Sequence, residues 1–310
     1  MKDIEGFYLT LIETVPENQV LEDEPLSNHT SFKVGGPAKY LVYPKSVSEI
    51  ISVIELCKKS NMPHYVMGKG SNLLVSDKGY KGTIIKLNSD FSNINISKRS
   101  KGEYLVHAQA GISLSKMAKF LASNGLAGFE FAAGIPGTLG GAVTMNAGAY
   151  GGEIKDVITG ATVLDKGFNL IDLSKEELEL GYRSSIIQKK GYIVLEVGFI
   201  FSKGDSDEIF AKIIDLNNRR RDKQPLEYPS AGSAFKRPEG NYAGKLIMDC
   251  GLKGYSIGGA QVSTKHCGFV INKGNATATD VSNLLRHVKK VVYEQYGVAL
   301  EQEVKMLGEF

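Results

Sequence analysis

Tryptophan is absent from the 310-residue chain, and cysteine, histidine and proline are scarce, at 3, 5 and 9 residues. Cys57, Cys250 and Cys267 are an odd number without CxxC spacing, which argues against a disulfide scaffold and a zinc knuckle. The histidines His29, His64, His107, His266 and His287 form no HExxH or HxH pattern, so no metal site is expected. No run of about 20 apolar residues occurs, and nothing is expected to span a membrane. The first residues, MKDIEGFYLTLIETVPE, are acidic and too short in apolar run for a secretory signal, so a cytoplasmic location is expected. An excess of one charge is also lacking. Lys plus Arg number 37 and Asp plus Glu 34, a net of +3. So small an excess gives no case for a nucleic-acid or membrane partner, although a local site for a phosphorylated small molecule stays open.

Glycine is what the chain has in plenty. Its 35 glycines are about 11% of the sequence, against an average of about 7%, and they are clustered. Clustered glycines point to binding loops built from backbone. At 310 residues the chain exceeds a typical single domain.

Residues 1–30 read as an amphipathic helix and a polar lead-in. Ser31–Lys33 and Tyr40–Tyr43 read as short strands around Gly35-Gly36-Pro37. Ser46 and Glu49 form a capping box for a helix that buries Val47, Ile50, Ile51 and Ile54. Strands His64–Met67 and Thr83–Leu87 follow, so the first ~90 residues alternate as an α/β unit. The polar stretch Asp90–Gly102 suggests a boundary. Strand Tyr104–Gln109 leads to a helix from Ser113, with Leu114, Met117, Ala118 and Leu121 on one face and Gly125 at its end. Strands Val157–Leu164 and Tyr192–Phe201 bracket a short helix capped by Ser174 and Glu177. Ser206 caps the next helix, which ends in Arg219-Arg220-Arg221. Residues 225–275 look loop-heavy, with a strand at Gly268–Ile271. A last helix, Ala278–Tyr296, buries Val281, Leu284, Leu285, Val288, Val291 and Val292, and the tail Val298–Leu307 alternates like a strand.

Two glycine loops carry the chemistry. Gly68-Lys69-Gly70-Ser71-Asn72 lies between a strand and Leu73-Leu74-Val75. Its glycines can aim several N–H groups at one point, a nest suited to a pyrophosphate, with Ser71 and Asn72 adding donors. It is neither a Walker A loop nor a Rossmann fingerprint, and a plain glycine-rich turn is an equal reading. Gly134-Ile135-Pro136-Gly137-Thr138-Leu139-Gly140-Gly141-Ala142 is stronger. It can place backbone donors at the start of a short helix, where an anion is favoured. Asn146-Ala147-Gly148-Ala149 continues a close-packed backbone on which a flat ring can lie. Tight strand–helix packing is the competing account.

With HTSFKVGG, GKGSNLLVSD, AGIPGTLGGAVTMNAGAYGGEI, GYRSS, AGSAFKRP, KGYSIGGAQVS and LEQEVKMLG in that order, the chain resembles the UDP-N-acetylenolpyruvoylglucosamine reductase (MurB) family over nearly its whole length. The resemblance implies an α+β protein: a two-subdomain FAD-binding fold of the vanillyl-alcohol oxidase (PCMH) type plus a smaller α+β substrate-binding domain. The division expected is 1–90 and 91–218 for the two FAD-binding subdomains, 219–297 for the substrate domain, and 298–310 for a C-terminal strand. The implied activity is reduction of UDP-N-acetylglucosamine enolpyruvate to UDP-N-acetylmuramate in peptidoglycan precursor synthesis, with non-covalent FAD and with NADPH as hydride source.

The resemblance also assigns residues. Arg183, Ser233 and Glu303 would be catalytic. Arg183 would stabilise charge spreading into the substrate carboxylate, Ser233 would protonate C2, and Glu303 would orient the carboxylate. FAD contacts would come from Gly68, Lys69, Gly70, Ser71, Asn72, Leu73, Gly134, Ile135, Pro136, Gly137, Thr138, Gly140, Gly141, Asn146, Gly148 and Ala149. Arg219, Lys223, Lys236, Arg237 and His266 would bind substrate. Local pattern alone says less: an exposed arginine, a turn serine and an outward-facing charge. Two departures stand out. Gln302 replaces the proline of the family's LEPEV pattern, which makes Glu301 a rival to Glu303. The run from Ser184 to Ser206 has no room for the inserted tyrosine loop of the type I form, so the type II form is expected. A flavin oxidase of the same superfamily and a non-catalytic nucleotide-binding protein are the alternatives. The absence of His and Cys from residues 68–72 disfavours an oxidase with covalently attached flavin.

Overall fold

The structure, a computed structural model, describes residues 2–310, and side chains from Gly6 onward. In chain order its regular elements begin with α1 (Lys2–Thr14), β1 (Val20–Pro25), β2 (Pro37–Val42), α2 (Val47–Lys59), β3 (His64–Met67), β4 (Leu73–Val75), β5 (Tyr80–Lys86), β6 (Ile94–Ser100) and β7 (Glu103–Gln109). Next come α3 (Leu114–Ser123), β8 (Leu126–Ala127), α4 (Leu139–Met145), β9 (Gly148–Ala149), β10 (Gly152–Glu153), α5 (Ile154–Val157), β11 (Ile158–Leu164), β12 (Leu170–Ser174), α6 (Ile186–Lys190) and β13 (Ile193–Lys203). The chain closes with α7 (Ser206–Lys223), β14 (Ser230–Ser233), α8 (Ala243–Asp249), β15 (Ser256–Ile257), β16 (Ala260–Val262), β17 (Phe269–Asn272), α9 (Ala278–Tyr296) and β18 (Lys305–Leu307). Two compact units interleave along the sequence. One comprises Met1–Val20, Val42–Lys69 and Ile84–Arg220, the other Leu21–Leu41, Gly70–Thr83 and Arg221–Phe310.

The first unit is built on an antiparallel sheet in the order β12-β11-β13-β7-β6, with β8 beside the end of β13. β13 is the long central strand, and its apolar run is buried because α4 covers it. Phe129, Phe131, Phe199 and Phe201 form an aromatic cluster with ring centroids 5.5–6.0 Å apart. The Phe129 contacts are edge-to-face and Phe199–Phe201 is stacked, and such pairs add to burial. Ser113 caps α3, whose Leu114, Met117, Ala118 and Leu121 are buried as the periodicity predicts. α2 starts at Ser46, which accepts from Glu49 N–H, while the Glu49 carboxylate reaches Lys45 N–H at 2.7 Å. The buried stripe of α2 is Ile50, Val53, Ile54 and Cys57, so Val47 and Ile51 are off the core face.

The second unit packs α8 and α9 against the sheet β14-β17-β16-β15. Its core joins Phe32, Val34, Leu74, Phe235, Leu246, Ile247, Leu284, Leu285, Val288, Leu300 and Val304. β18 pairs in parallel with β4, Lys305 opposite Leu73. The N-terminus of α9 is held twice. Asp77 accepts from Ala278 N–H at 2.7 Å and Thr279 N–H at 2.9 Å. Thr277 and Asp280 form a capping box, and Asp280 also accepts from Gly259 N–H at 3.2 Å. Gly36 is required where the chain crosses this region, because a Cβ there would stand 2.2 Å from the Asp77 carbonyl oxygen.

The backbone hydrogen bonds from Thr277 and Gly259 hold the Asp280 carboxyl below its usual 3.8. A depressed carboxyl stabilises the fold fully above the unfolded value and loses that contribution as pH falls through the folded one. Asp280→Ala is therefore expected to cost about 1–2 kcal/mol at pH 7. The gap should shrink below about pH 4, as thermal unfolding at pH 7 and pH 3 would show. Equal gaps at both values would contradict it.

Several local readings need correction. Ser31–Lys33 is a turn, and the strand instead runs Pro37–Val42. Residues 20–25, read as lead-in, form β1, a mostly exposed strand without the expected alternation. Asp90–Gly102, read only as a polar stretch at a boundary, has regular structure. It holds β6, an exposed edge strand paired with β7. Ser174 and Glu177 do exchange cap-like hydrogen bonds, yet they close only a turn, and the short helix is α6, capped by Ser185. The cap of α7 is Asp205, which accepts from Asp207 and Glu208 N–H, while Ser206 Oγ donates to Ala122 O. Val291 is only half-buried. In the tail only Lys305–Leu307 is strand, because its partner β4 is short. Among the described residues no cluster of metal-ligating side chains occurs, and no helix is long and apolar enough to cross a membrane.

Candidate active site

In the first unit the two glycine-rich segments meet. A Cβ on Gly68 would stand 2.0 Å from Thr138 Oγ1, so the first loop presses its bare backbone against the start of α4. Gly137, at φ +152°, turns the chain into Thr138, which is buried. Leu139 N–H donates to Ile112 O and Gly140 N–H to Ala110 O, both at 2.9 Å. Two of the helix-start donors expected to face an anion are thus engaged by the loop after β7. Gly141 stays exposed, with Thr138 Oγ1 the nearest neighbour of its would-be Cβ at 3.8 Å. Lys69 and Pro136 are exposed, and Ile135 N–H closes a turn onto Ala132 O at 3.0 Å. Gly148-Ala149 pairs with Gly152-Glu153 as a tight hairpin.

Asn146 ends α4 in a left-handed conformation, φ +42°, fully buried. Its Nδ2 donates to Glu153 Oε2 at 2.9 Å and to Gly181 O at 3.0 Å, and its Oδ1 accepts from Lys155 N–H at 3.0 Å. Gly181 opens the turn that carries Arg183. Arg183 is itself left-handed, φ +52°, a conformation that costs a non-glycine residue about 1–2 kcal/mol. Its guanidinium lies over the Tyr182 ring, 5.2 Å from the centroid. The Glu153 carboxyl is held below the usual carboxylate range by the Lys155 hydrogen bond first, then by Asn146, with the Arg183 charge adding.

The basic end of α7 splits by helical phase. Arg219 pairs with Asp215 at 2.8 Å on an exposed face. Arg220 continues the buried face of Ile209 and Ile213 and donates through Nη1 to Gly134 O, inside the second glycine loop. Burial lowers its pKa. The spacing i, i+4, i+11 from Ile209 marks Arg220, which the sequence reading passed over in favour of Arg219.

In the second unit, Gly70 (φ +63°) accepts from Ser31 N–H at 3.2 Å, and the buried Ser31 Oγ has no partner among the described residues. Ser71 and Asn72 are half-buried, and Leu73 enters β4. Asn72 Nδ2 donates to Glu303 O at 3.2 Å, and Lys305 N–H returns to Asn72 O at 2.9 Å. Glu303 N–H donates to Ala234 O at 3.0 Å, next to the exposed Ser233 that ends β14. The tail therefore binds both the first glycine loop and the serine strand, and it brings Ser233 and Glu303 onto adjacent backbone. Glu301, the rival for that role, instead forms an ion pair with Lys236 at 2.5 Å. The Arg237 guanidinium carbon lies 4.0 Å from the Tyr242 ring centroid. His266 accepts at Nδ1 from Gly268 N–H at 3.1 Å, packs edge-on to Phe269, and has its pKa lowered by burial. Because Nδ1 accepts, the neutral ring carries its proton on Nε2. Lys223 is exposed at the end of α7.

Comparison with known proteins supplies the family. Residues 38–174 match the FAD binding domain family, and residues 224–307 match the family described as UDP-N-acetylenolpyruvoylglucosamine reductase, C-terminal domain. A UDP-N-acetylenolpyruvoylglucosamine reductase of Lachnoclostridium phytofermentans is 56% identical over 295 residues, 95% of each chain. The crystal structure of the Thermus caldophilus MurB reductase superposes with a TM-score of 0.76 at 34% identity, covering 92% of this chain and 98% of that one. At the level of fold alone, a 4-ethylphenol oxidase from Gulosibacter chungangensis aligns with a TM-score of 0.50 and 14% identity, over 65% of this chain and 43% of that one. Fold and glycine loops together define an FAD-binding oxidoreductase of α+β architecture, with a second α+β domain appended. Within that class the chain belongs to the UDP-N-acetylenolpyruvoylglucosamine reductase family.

FAD fits the residues present. The orphaned Ser31 Oγ beside Gly70 needs a polar partner, and Gly141 leaves its face of α4 open. The close approach at Gly68 gives a test. Gly68→Ala forces the loop away from Thr138 at about 1–3 kcal/mol of overpacking. The expected result is a folded protein purified with little flavin, read from the ratio of visible to ultraviolet absorbance. Full flavin content would show that the loop's approach does not matter.

Proposed function

We propose that the protein reduces UDP-N-acetylglucosamine enolpyruvate to UDP-N-acetylmuramate at the expense of NADPH, a step in peptidoglycan precursor synthesis, through Arg183, Ser233 and Glu303. The observation that carries the residue assignment is the Glu303 N–H to Ala234 O bond, which sets Glu303 beside Ser233 while Asn72 ties the same tail to the glycine loop. FAD, held by the glycine loops at Gly68 and Gly134–Gly141, would supply two-electron hydride chemistry between NADPH and C3 of the enolpyruvyl group. As C3 gains hydride, negative charge grows on C2 and spreads into the adjacent carboxylate. The Arg183 guanidinium meets that charge with a forked pair of hydrogen bonds. Ser233 Oγ gives its proton to C2 and completes the lactyl ether. Glu303 orients the substrate carboxylate.

Substrate-binding roles for Lys223, Lys236, Arg237 and His266 rest on the same resemblance. A substrate role for Arg219 rests on that resemblance too; its guanidinium pairs with Asp215, and the neighbouring Arg220 donates to Gly134 O. The type II form is supported by the continuous run of α6 into β13, joined at Gly191. The division into FAD-binding segments 1–90 and 91–218, a substrate domain 219–297 and a C-terminal segment 298–310 belongs to the same reading, as do a cytoplasmic location and a small molecule as the sole partner. Non-covalent FAD is supported by the absence of His and Cys from residues 68–72. The test is denaturation followed by filtration: yellow colour passing the filter supports the reading, and colour retained on the chain contradicts it.

A further inference from the structure

The Arg183 turn is clamped to the C-terminal end of α4 by side chains of which two, Gln188 and Ser185, have no part in the chemistry above. Gln188 Nε2 donates to Arg183 O at 3.1 Å and to Thr144 O at 2.7 Å. Ser185 Oγ donates to the same Thr144 carbonyl at 2.7 Å, and Ser185 caps α6. On the other flank Asn146 Nδ2 holds Gly181 O. Both anchors, Thr144 and Asn146, sit at the end of α4, where unpaired carbonyls and a left-handed residue are available. The turn they hold carries a non-glycine residue at φ +52°. Such a conformation persists only when its surroundings over-determine it, and it clusters at functional sites.

We propose that Gln188, with Asn146, is a positioning residue for Arg183: it holds the residue 181–183 backbone in its left-handed turn, so that the guanidinium is pre-set for the substrate carboxylate. The proposal rests on the assignment of Arg183 made under Proposed function. Without the clamp the turn relaxes, the arginine samples other directions, and the step that needs it slows while steps that do not are untouched.

Gln188→Ala tests this. Flavin content and NADPH-driven flavin bleaching should stay within about twofold of the unsubstituted enzyme, while substrate-driven reoxidation of reduced flavin slows about tenfold or more. Introduced into an Arg183→Ala background, Gln188→Ala should change reoxidation by less than about twofold, because the residue through which it acts is gone. A readout independent of activity is amide hydrogen exchange across residues 181–185, which should accelerate in Gln188→Ala protein. Gln188→Glu keeps the volume but lacks the amide donors; it replaces the alanine variant if that fails to fold and should show the same loss. Reoxidation within twofold in either single variant would overturn the proposal, as would an undiminished loss in the Arg183→Ala background or unchanged exchange. Should Arg183→Ala by itself reoxidise at nearly the full rate, the Arg183 assignment falls and the positioning role falls with it. That outcome is distinct from a slow Arg183 variant paired with a normal Gln188 variant.

Discussion

Ser233→Ala lowers the rate of substrate-driven flavin reoxidation by about 10²–10⁴-fold, the range for loss of a general acid. The side chain ends β14, exposed, and its removal takes away no packing. The fold and the flavin content should therefore persist. Bleaching by NADPH, which uses no proton at C2, should proceed at the unsubstituted rate. Rapid mixing of the reduced variant with substrate isolates the affected step. A reoxidation rate within a few-fold of the unsubstituted enzyme would show that Ser233 is not the proton donor.

Arg183→Ala is expected to slow the same step by about 10²–10³-fold, as removal of a preorganised charge donor does elsewhere. The loss has a different character from that of Ser233. Free guanidinium in the buffer should restore part of the rate to Arg183→Ala protein and none to Ser233→Ala protein. Arg183→Lys should recover little, because an ammonium cannot reproduce the forked contact. Removing a side chain held at φ +52° deletes no regular structure, so the thermal midpoint should change little. A fully active Arg183→Ala enzyme, or a lysine variant equal to the arginine enzyme, would overturn the role.

The elements that were legible in the sequence are those with a cap and an unbroken apolar period. α3 begins at Ser113 and buries its expected face, and α9 ends at Gly297, which adopts φ +65°. β1 and β6 were opaque because both are largely exposed and carry charge or polar residues where alternation would show a core face. β18 was legible as part of the alternating tail, but its parallel partner β4 was not, since no local signal reports a contact so remote in sequence. The site divides in the same way. Glycine clusters are visible as composition, but the contact between Gly68 and Thr138 is not, nor is the bond from Asn72 to Glu303 across 231 positions. Arg220 was recoverable in principle, as the continuation of the Ile209 and Ile213 face, and was obscured by its neighbours in a run of three arginines. The clamp from α4 to the Arg183 turn carries no motif, because its acceptors are carbonyl oxygens, which the amino-acid sequence does not encode.

The central claim is that one flavin on this chain accepts hydride from NADPH and gives it to UDP-N-acetylglucosamine enolpyruvate. Anaerobic mixing of the purified yellow protein with one equivalent of NADPH, followed by substrate, measures both halves in one cuvette. The account predicts that the flavin band near 450 nm (a general property of the cofactor, quoted approximately) bleaches with NADPH and returns on adding substrate, with one equivalent of the lactyl ether formed. A flavin that stays oxidised with NADPH, or one that bleaches and does not return when substrate is added, would contradict it.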